Sequence, residues 1–167
     1  TNTDNEQYLI GAMGSFDLFG VTYSDFHVSS EGYVSFGDGS NSVVDSESEL
    51  FNRPTICGLC ENTDAADGVV TIDETATNVA ITFEGVPFYS ETPTNDWQIV
   101  LHSDGRIQIT YLSIPVGGLD PADVVVVGIS AGPGLSTSSY PGEVDFYIPP
   151  IELCADGADN DGDLLID

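Results

Sequence analysis

From Tyr8 onward, apolar and polar positions alternate with a period of two, and Gly, Asp, Asn and Ser interrupt the alternation at short intervals. No stretch carries the 3.6-residue period of an amphipathic helix. The clearest signal is a pair of matched runs. Trp97, Ile99 and Leu101 alternate with Gln98, Val100 and His102, and Ile107, Ile109 and Tyr111 alternate with Arg106, Gln108 and Thr110. Ser103-Asp104-Gly105 lies between them, and Asp-Gly favours a hairpin turn, so a hairpin of 97–101 against 106–111 is predicted. A second hairpin joins 68–74 to 78–84 through Thr75–Thr77, and it places Val79, Ile81 and Phe83 on one face. Trp97, Ile99, Leu101, Ile107, Ile109, Val79, Ile81 and Phe83 are the expected core. Earlier, 16–24 and 26–36 carry aromatics around Gly20 and the Glu31-Gly32 turn.

The apolar run 124–130 predicts a central strand buried on both faces. Residues 143–148 read as a last strand, after which Pro149-Pro150 stops pairing. Polar, weakly patterned 40–53 and Gly/Ser/Pro-dense 132–142 read as loops. The expected fold is therefore an all-β, antiparallel β-sandwich of about ten short strands. Residues 1–7 form a polar, flexible arm, 8–148 the sandwich body, and 149–167 a stiff Pro-Pro spacer with an extended acidic tail.

That tail concentrates chemistry. Asp159, Asp161 and Asp163 alternate, Asp156 precedes them and Asp167 follows. Like charges gather where a hard cation draws them together, and calcium takes six to eight oxygens from short loops with ligands at alternate positions. The five aspartates are the candidate calcium ligands. Interleaved Gly and apolar Leu164-Leu165-Ile166 favour an ordered turn over a solvated charge block. A full calcium loop of this kind closes with a bidentate Glu at about its twelfth position. Here Asp167 is the ninth residue counted from Asp159, so further oxygens are expected from a folded surface. Glu61, Asp64 and Asp67 form a second candidate metal group.

Charge sharpens this picture. The chain has 28 acidic residues, two arginines (Arg53 and Arg106) and no lysine, for a net charge of −26. Phosphate contacts need Lys or Arg, so nucleic-acid binding is excluded, as is attraction to anionic membranes. No apolar run reaches spanning length, so membrane insertion is not expected. Such a chain repels itself unless cations screen it, either by specific calcium binding or in a cation-rich medium. Thr1 stands where Met would begin a primary product, and an exported, extracellular protein is expected.

Three cysteines remain. Cys57-Gly-Leu-Cys60 has C-x-x-C spacing, and Cys154 precedes the acidic tail. A redox pair would be followed by a helical pattern, which is missing. A zinc site with His27 or His102 lacks a second C-x-x-C. A structural disulfide is the simplest reading, with Cys154 a candidate partner of Cys57 or Cys60 in its own or a neighbouring chain. No catalytic residue is assigned, because neither His27 nor His102 sits in a nucleophile motif. Ser136-Thr137-Ser138-Ser139 is a candidate patch for O-linked glycans.

Several segments in order carry a resemblance: Phe19-Gly20-Val21-Thr22-Tyr23; Phe26 to Gly37 with its Gly32-Tyr33-Val34-Ser35-Phe36-Gly37 core; Val79 to Pro87; Trp97–Leu101 with the Asp104-Gly105-Arg106 turn; and Val127 to Gly132. The body thereby resembles nidogen-like extracellular β-sandwich domains, with residues 56–67 and their C-x-x-C as the departure. The tail resembles the acidic calcium repeats of thrombospondin type 3, matching at Cys154, Asp156, Gly157, Asp159, Asn160, Asp161, Asp163 and Asp167 and departing at Leu164, where Gly is expected. The resemblance implies adhesion or assembly without catalysis. The expected function is an extracellular structural subunit of a surface assembly or filament, associating head-to-tail through a calcium-binding tail. The alternative is a secreted adhesive module that binds a glycan or protein, with calcium serving only its own stability.

Overall fold

The computed structural model describes residues 5–39, 42–115, 125–133 and 144–147. In chain order the elements are β1 (Asn5–Leu9), β2 (Phe16–Leu18), β3 (Val21–Tyr23), β4 (Asp25–Ser29), β5 (Tyr33–Ser35), one helical turn α1 (Glu47–Leu50), and β6 (Pro54–Cys60). A 3-10 turn (Ala65–Asp67) follows, then β7 (Val69–Glu74), β8 (Asn78–Pro87), β9 (Thr94–His102), β10 (Ile107–Ser113), β11 (Val126–Ala131) and β12 (Val144–Tyr147). Two five-stranded sheets result, ordered β1-β4-β5-β6-β11 and β12-β10-β9-β8-β7, with β2-β3 as a separate hairpin. Every pairing is antiparallel except β12 on β10, which is parallel. The fold is the expected sandwich.

The two predicted hairpins form as read. Ile107, Ile109 and Tyr111 lie opposite Leu101, Ile99 and Trp97, and Val79, Ile81 and Phe83 continue the same rows on β8. All eight expected core residues are fully buried, and Phe26, Val34, Phe36 and Ile56 meet them from the other sheet. Phe83 and Trp97 stack face to face at 4.4 Å between centroids. Phe16 and Leu18 of the β2-β3 hairpin are also buried in this core, and Phe16 stacks on Phe36.

Three expectations change. First, the apolar run near 124–130 becomes β11, which among the described strands is the outermost of its sheet, and Val127 is 41% exposed. The strand buried on both faces is β6, where every residue from Thr55 to Cys60 is buried. Its outer side lies under a second cluster of Tyr33, Val44, Leu50, Cys57, Cys60 and Val126. An apolar run reports burial without saying what covers it, and here α1 and its flanking loop do so.

Second, the presumed loop 40–53 contains that helical turn. Ser46 is its N-cap, and Glu49 reaches back to the Asp45 N–H (3.2 Å) and Ser46 hydroxyl (3.1 Å). The contact is a variant of the capping box, shifted by one residue to the N–H before the N-cap, so Ser46-x-x-Glu49 ahead of Leu50 was the available signal. Third, Asn5–Leu9 is a strand on β4, so the last residues of the supposed arm belong to the sheet. Ladder hydrogen bonds come from the main chain, and polar side chains do not prevent them.

Glu74 closes the sandwich at the end where β1 leaves its sheet. Its carboxylate accepts from the N–H groups of Gly11 (2.9 Å) and Met13 (2.9 Å) and from the Tyr8 hydroxyl (2.8 Å). Desolvation pushes its pKa up, but the bonds from Met13, Tyr8, Gly11 and Ala12 outweigh it and hold the carboxyl below its ordinary value. A depressed pKa stabilises above the unfolded-state value and ceases to do so as pH falls through the folded one. Glu74→Gln is expected to cost about 1–2 kcal/mol at neutral pH. Urea unfolding should show the gap between the two proteins constant from about pH 6 to 8 and shrinking below about pH 4.

The Glu31-Gly32 turn depends on close backbone approach. Gly32 has φ +82°, and a Cβ there would lie 2.1 Å from the Leu59 carbonyl oxygen. Neither the conformation nor the space admits a side chain. Gly32→Ala should lower unfolding free energy by about 2–4 kcal/mol in urea titration.

Candidate functional site

The C-x-x-C sits within β6, where regular geometry would place residues three apart on opposite faces, about 10 Å from each other. The ladder to β11 prevents this. Cys57 faces Gly128 and Cys60 faces Val126, so Gly58 and Leu59 together oppose one residue. That two-against-one count is a β-bulge. It returns Cys60 to the side of Cys57, with Cα atoms 5.6 Å apart and the sulfurs bonded. Both cysteines are fully buried. The bond joins the two cysteines of the body to each other, where the sequence left Cys154 open as a candidate partner of either. It also leaves no thiolate for zinc. Cys154 lies outside the described residues.

The bulge ties the two sheets together. Tyr111 of β10 crosses the core and donates to the Gly58 carbonyl at 2.7 Å. Burial pushes its phenol up to about 12, so the donor keeps its proton throughout the physiological range. A Cβ on Gly58 would meet Ile99 and Trp97 at 3.0 Å, and glycine lets the sheets come this close. On the outer side, Tyr33 covers the cysteines. Its hydroxyl donates to the Ser42 carbonyl (3.0 Å) and accepts from the Arg53 guanidinium (3.3 Å), which lies over the ring.

Glu61, Asp64 and Asp67 occupy a tightly pinned corner. The Thr63 hydroxyl donates to the Ser30 carbonyl, the Asp64 N–H to the Pro87 carbonyl at 2.9 Å, and the Asp67 N–H to the Asp64 carbonyl at 3.1 Å. Glu61 is buried. Among the described residues no group of three or more His, Cys, Asp or Glu is placed to hold a metal ion, so the fold does not assemble these three into a site. His27 and His102 fall in different sheets. The tail aspartates 156, 159, 161, 163 and 167 lie outside the described residues, as does the 136–139 patch.

The two arginines are engaged within the body. Besides Arg53 on Tyr33, Arg106 approaches Asp145 at 3.9 Å and His102 Nδ1 at 3.4 Å. With no lysine in the chain, the described surface carries no basic patch.

The model of the NIDO-related family matches residues 1–144. The chain belongs to that family. Searches of curated proteins and of solved structures return no match. The NIDO-related match runs through every described strand up to the first residue of β12, and it confirms the nidogen-like resemblance of the body while ending before the acidic tail. The Gly32-Tyr33-Val34-Ser35-Phe36-Gly37 segment now has a physical reading. Gly32 makes the turn under Leu59, Tyr33 covers the disulfide, Val34 and Phe36 enter the core, and Gly37 leaves the strand at φ +81°. Sequence reasoning missed Tyr111 and Arg53 as structural ties, because neither contact follows from local spacing.

The disulfide closes a short loop, so its entropic contribution is modest. Cys57→Ala with Cys60→Ala is expected to cost about 2 kcal/mol through loop entropy, plus the loss of sulfur packing. In the intact protein, dithiothreitol should reduce the bond only within the urea unfolding transition, as followed by thiol labelling and mass spectrometry.

Proposed function

We infer that the protein is a structural subunit of an extracellular assembly, in which the acidic tail of one copy binds calcium and docks on the next. The coarser statement stands on the family: the NIDO-related body is an extracellular module of a structural or adhesive kind. Among the described residues no helix is long and apolar enough to cross a membrane.

The observation that carries the finer reading is the pairing of an acidic tail with a body that has no free cation for it. Arg53 is bonded to Tyr33 and Arg106 lies beside Asp145 and His102, and the net charge is −26. An acidic tail meeting such a surface directly would be repelled. A divalent ion shared between Asp159, Asp161 and Asp163 and oxygens of the receiving surface turns that repulsion into attraction. Asp156 and Asp167 complete the ligand set on the tail side. A head-to-tail contact of this type repeats into a filament unless its rotation closes a ring.

Calorimetric titration with calcium tests the metal, and light scattering in calcium tests the joint. Asp161→Ala should weaken calcium binding, read as Kd from the titration curve, by at least about tenfold. A chain lacking residues 152–167 should stay monomeric where the full chain scatters. Polymerisation of the truncated chain equal to that of the full chain would remove the tail as the linker.

A further inference from the structure

The sheet β12-β10-β9-β8-β7 has an outer face whose centre is uncharged, in a chain of net charge −26. Strand alternation sends the core residues of β8, β9 and β10 inward and their neighbours outward. Pairing then aligns Thr110, Gln98, Thr82 and Thr71 in one row across four strands. Gln108, Val100 and Ala80 form the next row. The charged groups lie around this centre: the carboxylates of Asp73, Glu84, Asp96 and Asp145, with Arg106 beside Asp145 and His102 in the row beyond Gln108 and Val100. The α1 turn packs on β11, away from this face.

The face is also ordered internally. Gln98 Nε2 donates to Thr82 Oγ1 at 2.8 Å, and Gln108 Nε2 donates to Thr110 Oγ1 at 3.1 Å. Each bond uses one amide N–H and holds the side chain in place, leaving the second N–H and the amide oxygen for a ligand. Thr110 and Val100 form a buried floor, while Thr71 at the edge is exposed.

We propose that this face binds a neutral, hydroxyl-rich glycan chain. Three observations select that occupant. Four carboxylates on the rim repel phosphate, sulfate and uronate groups, and the one arginine there, Arg106, already lies against Asp145 and His102. Hydroxyls and amides both donate and accept, which matches sugar hydroxyls group for group. The small uncharged area suits a chain ligand better than a folded partner or a second copy. With strands ~4.8 Å apart, a four-residue row spans ~14 Å, and two rows add ~7 Å along the strands. The resulting area of about 100–200 Å² is far below the roughly 800 Å² per partner of a stable protein interface. A few sugar units cover it. The proposal does not involve the tail and is independent of the assembly reading.

The test is retention of the full chain, in calcium, on immobilised cellulose, chitin, mannan and dextran, with alginate as the acidic counterpart. The expected result is retention on at least one neutral polysaccharide, unchanged between about 0.1 and about 1 M salt because no charge is involved. Thr82→Ala combined with Gln98→Ala should weaken it by about tenfold or more, with near-ultraviolet dichroism of Trp97 matching the parent. Thr71→Trp, which blocks the exposed end of the row, should weaken it as well and covers the case of a double variant that fails to fold. Both variants should still scatter light in calcium like the parent, which separates this site from the tail. The proposal is overturned by no retention on any neutral polysaccharide, by equal retention of the variants, by preference for alginate, or by a concentration-dependent dimer that the variants abolish. The last outcome would make the face a self-contact.

Discussion

The bulge at Gly58–Leu59 is the constraint on which the rest of the body depends. One extra residue in β6 sets three things at once. It brings Cys57 and Cys60 to the same side of the strand. It presents the Gly58 carbonyl inward, where Tyr111 of the opposite sheet donates to it. It places the Leu59 carbonyl where only Gly32 can pass. The ties converge where Trp97 and Ile99 lie against Gly58, so inter-sheet spacing, the β5 turn and the disulfide share one geometric origin. Bulges leave a peptide outside the ladder, and a buried carbonyl left without a donor is costly. Tyr111 therefore satisfies a group that the disulfide geometry creates.

Acidity shapes the remaining interactions. Ion pairing contributes little to this body, since the Arg106–Asp145 contact is long and half-exposed and such pairs are worth about 0–1 kcal/mol. The carboxylates find main-chain donors instead. Glu74 accepts from Gly11 and Met13, Asp96 from Gly85, Asp104 from Arg106 and Glu49 from Asp45. Each of these contacts fastens a loop or turn to a neighbouring segment. In a chain almost without basic side chains, peptide N–H groups provide the positive ends of its polar contacts.

The sandwich was legible because its core strands alternate without ambiguity. Trp97, Ile99 and Leu101 against Ile107, Ile109 and Tyr111, joined by Asp-Gly, admit one hairpin register with all large residues on one face. The position of each strand within its sheet was not legible. The continuous apolar run of β11 resembles that of a central strand, yet Val126 is buried by α1 and its loop, and Val127 faces out. The C-x-x-C was visible, but its partner choice depended on a register shift that only the pairing of β6 with β11 reveals. Glu61, Asp64 and Asp67 are close in sequence and look like a cation loop, whereas the bonds of Thr63, Asp64 and Asp67 shape that segment into a corner. Proximity along a chain supplies candidate ligands, and backbone hydrogen bonding decides where they go.

The same consideration separates the body's carboxylates from those of the tail. A main-chain N–H can satisfy one carboxylate at a time, and it requires a turn or strand end that leaves the donor free. Glu74 has such a turn in residues 11–13. Asp156, Asp159, Asp161, Asp163 and Asp167 place five carboxylates in twelve residues, so adjacent acids would compete for donors while repelling one another. A divalent ion meets several carboxylates together and removes their mutual repulsion in one step. The body can manage its acid residues with peptide groups because they are spread over many loops. The tail concentrates its own at alternate positions, and this spacing is what makes the proposed calcium the natural counter-charge there, with the body's occupied arginines leaving no competing cation.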